Sequence, residues 1–379
     1  MANGHQATVF SANPGLSIGV AGTRREETLV GQVRLIRLNS PTPAWMRWRP
    51  GMMWNRIQLL WALRQQHRRT PFDLIEAADA WGWLPLGKVR GVPMVTRLHG
   101  AMFFFDHELQ RMTGDPFTYW LEKQSLARSD FIVAVSKFVA QGEMALSRKP
   151  NAPVQVIYNA VDTDFFCPDP AQPGERGLIV FVNSLQYRKG VSELCQAFNL
   201  VAEKNPQARL VMIGPSANTA PGAKPITEEL RELIFPEWRN RVTFTGSLPR
   251  AEVRPWLRRA QVCCYPSKLE CFSLAPLEAM AAGKAVVYTR AASGPETVED
   301  GVSGLLCDPA NPADIAAKLQ RVLDNPGLAE QLGRAARQRV ERLFSRADFI
   351  RRNLDFYASC LKQVRGAATA ANGARASAN

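Results

Sequence analysis

Residues 263–283 read Cys263-Cys-Tyr-Pro-Ser-Lys-Leu-Glu270-Cys-Phe-Ser273-Leu-Ala-Pro-Leu-Glu278-Ala-Met-Ala-Ala-Gly283. A short apolar run ends at Tyr265-Pro266, a polar loop follows, and then Leu274, Leu277, Glu278 and Ala281 recur at helical spacing. The pattern predicts a strand, a loop and a helix. Ser273 is an N-cap candidate, and Pro276 falls in the first turn, where a missing N–H is no loss. The helix therefore begins with free backbone donors from Phe272 through Ser273 and Leu274 to Ala275, at the carboxyl end of a strand. In an open α/β sheet that position suits an anion, because unpaired N–H groups and aligned peptide dipoles converge there.

Two carboxylates bracket the turn. Glu278 lies about 6 Å beyond the helix start at roughly 1.5 Å per residue, within reach of a sugar ring attached to a bound phosphate, and Glu270 is placed to meet a second sugar. Spacing alone serves equally well for a solvated loop glutamate and a glutamate on a wet helix face.

Residues 270–287 resemble the E-x7-E motif of the retaining glycosyltransferases of family 4, which have the GT-B fold. Further markers of that family follow in order: Leu98-His99-Gly100, Val135-Ser136, Asn159-Ala-Val-Asp162, Arg188-Lys189-Gly190, Gly246-Ser-Leu, and Gly294-Pro-Glu296 through Gly301-Val-Ser-Gly304. The resemblance covers residues ~95 to ~310 and continues more faintly to about residue 360. It implies an α/β chain of two Rossmann-like domains facing a cleft, with a C-terminal helix crossing back to the first. The expected divisions are an acceptor-side domain over 1–160, a donor domain over 161–346, the crossover helix over 347–364 and a disordered tail over 365–379.

The resemblance also implies a reaction, the retaining transfer of a hexose from a nucleoside-diphosphate sugar to a hydroxyl of a glycan, lipid-linked or small-molecule acceptor, with no metal or other cofactor. Polysaccharide biosynthesis is the expected setting. In such a site Lys189 and Arg188 meet the diphosphate with the backbone of Phe272, Ser273 and Leu274. Glu278 holds the ribose, Glu270 the transferred sugar, and the loop after Gly246 the base, while His99 lies close to the transferred sugar. Where the family commonly has Gly-Arg this chain has Asn183-Ser184, so one phosphate cation is missing and Arg188 is the substitute. A same-fold sugar-nucleotide epimerase and an inactive donor-binding paralogue or fragment are the alternatives.

Length and composition agree with two domains. The chain has 379 residues, too many for one ordinary core. No apolar run approaches the ~18 residues of a membrane span, and no signal-peptide pattern opens the chain, so a cytoplasmic location is expected, with peripheral contact at the inner face of the membrane. Cysteines 167, 195, 263, 264, 271, 307 and 360 form no C-x-x-C pair, which points to reduced thiols. The net charge is +13. The first 150 residues hold 19 Lys and Arg against 11 Asp and Glu, or +8, leaving +5 for the rest. Such an excess suits anionic lipid or phosphorylated acceptors, and no nucleic-acid-binding motif accompanies it.

Along the first half, residues 4–10 resemble the point where the family's first helix ends and its second strand begins. The reading expects an opening strand and glycine-rich loop before Met1; the alternative is a first domain built differently. Trp45 and Trp48, interleaved with arginine and leading into a helix to Arg69, suit a membrane interface or a loop packed on its own domain. His99 follows directly on a strand, at the sheet edge where sites form. Asp162-Thr-Asp164 matches the D-x-D of metal-dependent transferases, but it sits in the interdomain linker and reads as a coincidence.

Overall fold

The computed structural model describes residues 5–12, 26–30, 33–38, 49–84, 86–110, 114–149, 151–169, 171, 174–216 and 224–376. Trp45 and Trp48 lie outside them. The described residues of Met1–Ala134, Ala140–Gln155 and Phe356–Asn379 form one compact unit, and those of Val135–Val139 and Val156–Asp355 a second.

The first unit holds two sheets. In one, β1 (Thr8–Ala12) lies parallel to β3 (Val33–Leu38), which pairs antiparallel with β2 (Glu26–Val30). The sequence reading assigns no strand to β2 or β3; Ile36 and Leu38 enter the core while Arg34 and Arg37 stay exposed. The other sheet has the order β4 (Ile75–Ala78), β5 (Met94–Leu98), β6 (Phe131–Ala134), β7 (Val154–Val156). Helices α1 (Arg49–Arg69), α2 (Met102–Glu108), α3 (Pro116–Ala127) and α4 (Lys137–Leu146) follow the chain between these strands. Leu59, Leu60 and Leu63 of α1 join Ile36, Leu38 and Met94 in one core. The edge strands β1 and β4 line a common cavity of about 390 Å³ with Phe72 and Trp83.

The second unit is built on one sheet. β8 (Leu178–Val182), β9 (Arg209–Ile213) and β10 (Val242–Gly246) run to one side, and β11 (Val262–Tyr265), β12 (Ala285–Thr289) and β13 (Leu305–Cys307) to the other, in the order β10-β9-β8-β11-β12-β13. Every pairing is parallel. Leu178, Ile179, Val180 and Phe181 of β8 are fully covered, as an apolar run buried on both faces requires. Strand order reverses between β8 and β11, and the carboxyl edge at such a reversal is where open α/β sheets bind ligands. Those two loops carry Arg188-Lys189 and Glu270.

Around the sheet lie α5 (Val191–Lys204), α6 (Ile226–Leu233), α7 (Arg250–Arg259), α8 (Leu274–Ala281), α9 (Gly294–Thr297), α10 (Pro312–Leu323) and α11 (Pro326–Leu343). The last helix, α12 (Arg346–Ala376), has its residues from Phe356 onward in the first unit, where the Tyr357 hydroxyl donates to Glu76 Oε2 at 2.8 Å. The sequence reading ends this helix near Val364 and leaves 365–379 disordered. Instead the backbone stays helical to Ala376, since the alanines of that stretch are the strongest helix formers.

Gly190 fixes how the β8 loop meets β11. It has φ +71°, and a Cβ there would stand 1.8 Å from the carbonyl oxygen of Pro266. Gly301 has a similar φ of +74° with no atom within 4 Å of an added Cβ. Gly190→Ala is therefore expected to lose stability beyond the ~1–3 kcal/mol of backbone strain, and Gly301→Ala to lose that strain alone. Equal urea midpoints for the two variants would show that the close approach to Pro266 is unimportant.

Candidate functional site

Ser273 occupies the N-cap of α8 in an extended conformation (φ −77°, ψ 141°), and its hydroxyl makes no capping bond. Among the described residues no acceptor meets the N–H groups of Ser273, Leu274 or Ala275. Leu274 is 46% exposed, an apolar side chain left uncovered at the helix start. The Phe272 side chain is buried. Its ring stacks on Tyr158 at 5.0 Å and meets Phe344 at 5.4 Å, while its carbonyl accepts from Asn159 Nδ2 at 3.2 Å.

The β8 and β11 loops meet in a buried ion pair. Lys189 Nζ lies 2.5 Å from Glu270 Oε1, and the Ser267 hydroxyl donates to the same oxygen at 3.0 Å. Both residues are buried. Burial pushes the Lys189 ammonium below the ordinary lysine value, against the opposing charge of Glu270. The loop is braced further where the Ser293 hydroxyl donates to the Glu270 carbonyl at 2.9 Å. Arg188, half-buried, donates to Gln186 Oε1 at 3.1 Å and Leu269 O at 3.5 Å. The sequence reading treats Lys189 as a point charge open to phosphate and Glu270 as a separate sugar ligand. The structure joins them, so the net charge that Lys189 presents is reduced.

Glu278 points elsewhere. Its Oε1 lies 3.4 Å from Arg250 Nη2, and burial raises its pKa above the usual carboxylate value, with Arg250 opposing. Gly246 has φ +72° and open space around it, so the turn after β10 needs glycine for its backbone and leaves room above. Ser184 is held through its N–H to Asn183 Oδ1 at 2.9 Å. Glu296 accepts from the N–H groups of Lys137 and Phe138 at 2.7 and 2.8 Å. Asp162 of the D-x-D match is tied to Arg346 at 2.7 Å and to the Phe165 N–H at 3.0 Å.

His99 belongs to the first unit, where its backbone is held by acids the sequence reading does not single out. Asp79 Oδ2 accepts from the N–H groups of His99 and Gly100 at 2.9 and 3.0 Å. Glu143 Oε1 accepts from Ala101 at 2.9 Å. Glu122 accepts from Trp81 at 2.9 Å, Met102 at 3.2 Å and Phe103 at 3.1 Å. All three acids are buried. Desolvation lowers the pKa of the His99 ring although Asp79 opposes it, so the neutral imidazole is favoured. The available signals were Asp79 directly after a strand, and Glu122 and Glu143 on otherwise apolar helix faces.

Two family profiles cover nearly the whole chain: glycosyltransferase family 4 over residues 1–165 and glycosyl transferases group 1 over residues 162–339. The chain belongs to glycosyltransferase family 4, group 1. Among curated family relatives, a D-inositol 3-phosphate glycosyltransferase of Kribbella flavida is 30% identical over 57% of this chain and 53% of its own length. A glycogen synthase of Mycobacterium tuberculosis is 28% identical over 71% of this chain and 64% of its own. The chain thus spans between half and two-thirds of these relatives. A sucrose-phosphate synthase from Thermosynechococcus elongatus superposes with a TM-score of 0.76 at 22% identity, over 96% of this chain and 90% of that one. Anabaena HepE in complex with UDP and glucose gives 0.69 at 18%, over 86% of each. These likenesses identify the fold as GT-B, with two Rossmann-like domains.

Burial pushes Glu122 up to about 7 from 4.5, ahead of the lowering by its backbone donors. The folded state holds this proton more tightly than the unfolded chain does, so the stability it contributes is complete below pH 4.5 and lost as pH rises through 7. Glu122→Gln should flatten the fall in unfolding midpoint between pH 6 and pH 8, measured by scanning fluorimetry. An unchanged slope would place that titration at another group.

Proposed function

We propose that this family 4 transferase moves a hexose from a nucleoside-diphosphate sugar to a hydroxyl of a glycan, lipid-linked or small-molecule acceptor, with retention of anomeric configuration and without a metal. The observation that carries the reading is the start of α8, where unpartnered N–H groups lie beside the loop that holds Lys189 against Glu270. The leaving group is a diphosphate, so catalysis depends most on stabilising the charge it develops. Fixed backbone donors and nearby cations do this without reorganising during the reaction.

In this scheme the N–H groups of Ser273 and Leu274 and the cations of Lys189 and Arg188 receive the diphosphate. Arg188 stands in for the cation missing at Ser184. Glu278 accepts from the ribose hydroxyls and exchanges its contact with Arg250 to do so. Glu270 meets the transferred sugar while steadying Lys189, and the turn at Gly246 admits the base. His99, its loop fixed by Asp79, stays neutral and donates to the sugar. The acceptor oxygen bonds to the anomeric carbon as the bond to the diphosphate oxygen breaks, and the acceptor's proton passes to the departing phosphate. A cytoplasmic location, with the membrane's inner face as the place of lipid-linked acceptors, completes the proposal; among the described residues no helix is long and apolar enough to cross a membrane.

Nucleotide release with a panel of donor sugars and acceptors tests the reaction, and the anomeric configuration of the product, read by NMR, tests retention. Release should require an acceptor, which an epimerase would not. Glu278→Ala should lower kcat/KM at least about tenfold, the loss of roughly one good hydrogen bond to a bound sugar. Lys189→Ala should do the same but also strand Glu270, at roughly 3–5 kcal/mol of stability, so its folding is followed alongside. Wild-type rates in both variants would remove the site.

A further inference from the structure

Helix α1 has two faces of opposite kind. Its inner face is buried in the first unit through Met52, Leu59, Leu60 and Leu63. On its outer face Trp54, Ile57 and Trp61, three and four residues apart, are 38%, 43% and 63% exposed. Such spacing sets them one above another in a single stripe. Exposed Arg64 and Arg68 continue that face toward the C-terminus. The helix contains five arginines and a histidine and no acidic residue. At its start Arg49 pairs with Asp115 at 2.8 Å and lies 5.8 Å from the Phe117 ring, which stacks on exposed Trp120 at 5.7 Å. Arg49 thus links the start of α1 to an aromatic pair on α3.

We propose that the outer face of α1 docks on an anionic lipid bilayer, with Trp54, Ile57 and Trp61 at the boundary of head groups and acyl chains and Arg64 and Arg68 on lipid phosphates. Three features favour a bilayer. The apolar stripe is one helix wide; its large rings are indoles, whose apolar body and polar N–H suit that boundary; and its charges are all of the sign that anionic head groups attract. The lipid-linked acceptors of the proposed function would give such docking a use, but the docking itself rests on α1 and α3 alone. It shifts the membrane role expected of Trp45 and Trp48 onto residues whose exposure is seen.

The test is co-sedimentation of the full chain with phosphatidylcholine vesicles, with and without phosphatidylglycerol. The wild type should prefer the anionic vesicles and release as salt rises. Trp54→Ser with Trp61→Ser should weaken binding at least about tenfold by removing buried ring area. Arg64→Gln with Arg68→Gln should weaken it roughly thirtyfold. Trp54 is only 38% exposed and Arg64 donates to the Lys88 carbonyl at 3.3 Å, so unfolding midpoints are followed alongside. Trp61→Ser alone, at a residue 63% exposed, should weaken vesicle binding with its unfolding midpoint and its transfer to a soluble acceptor unchanged. A wild type indifferent to phosphatidylglycerol, or double variants that bind like wild type, would overturn the proposal. So would a concentration-dependent dimer lost in the tryptophan variant without vesicle binding, which would give the face to a second copy. Vesicle binding without nucleotide release would instead sink the transfer reaction and leave the docking standing.

Discussion

Lys189 and Glu270 are joined at the reversal of strand order in the second unit, and that pairing sets what the site can do. A lone ammonium at this depth would be costly to hold charged. With Glu270 2.5 Å away and the Ser267 hydroxyl on the same oxygen, the charge is kept in place beside the start of α8. The arrangement makes Glu270 both a positioning group for the lysine and a sugar ligand in the proposed reaction. The helix start supplies what the ion pair lacks, directed donors with no carboxylate opposing them.

The first unit solves a different problem by similar means. The N–H groups that follow β4 and β5 would be open donors in a ligand-binding loop, yet here Asp79, Glu122 and Glu143 take up those of residues 80–81 and 99–103. The segment bearing His99 is thereby rigid, and any ligand must be met by side chains. Burial first, and the charge of Asp79 next, push Glu143 well above the usual carboxylate range.

Much of this was legible in the sequence. The run 263–283 showed its strand, its turn and its helix because the apolar spacing changed at Ser273, and the GT-B resemblance followed from ordered motifs. Strands β6, β8, β9, β11 and β12 are visible as nearly continuous apolar runs, as parallel strands covered on both faces should be, while β5 and β10 read as strands despite the polar residues within them. Less visible was anything that depends on two distant segments. No spacing rule brings Lys189 to Glu270, 81 residues apart, or sets Arg250 against Glu278. The pair β2–β3 is hidden by its charged residues, and the continuation of the C-terminal helix from residue 365 to Ala376 is missed because a run of alanine, glycine, asparagine and serine reads as low complexity unless alanine's helix propensity is weighed.

The proposed anion site at the start of α8 has one direct consequence, a preference for ligands that carry phosphate. Calorimetric titration of the full chain with nucleoside diphosphates and the matching nucleosides measures that preference. The diphosphate that binds best should exceed its nucleoside by roughly a hundredfold, since charge-assisted bonds to fixed donors carry the affinity. Equal affinities for the two would mean that the helix start and Lys189 hold no phosphate, and the proposed chemistry would have no place in this fold.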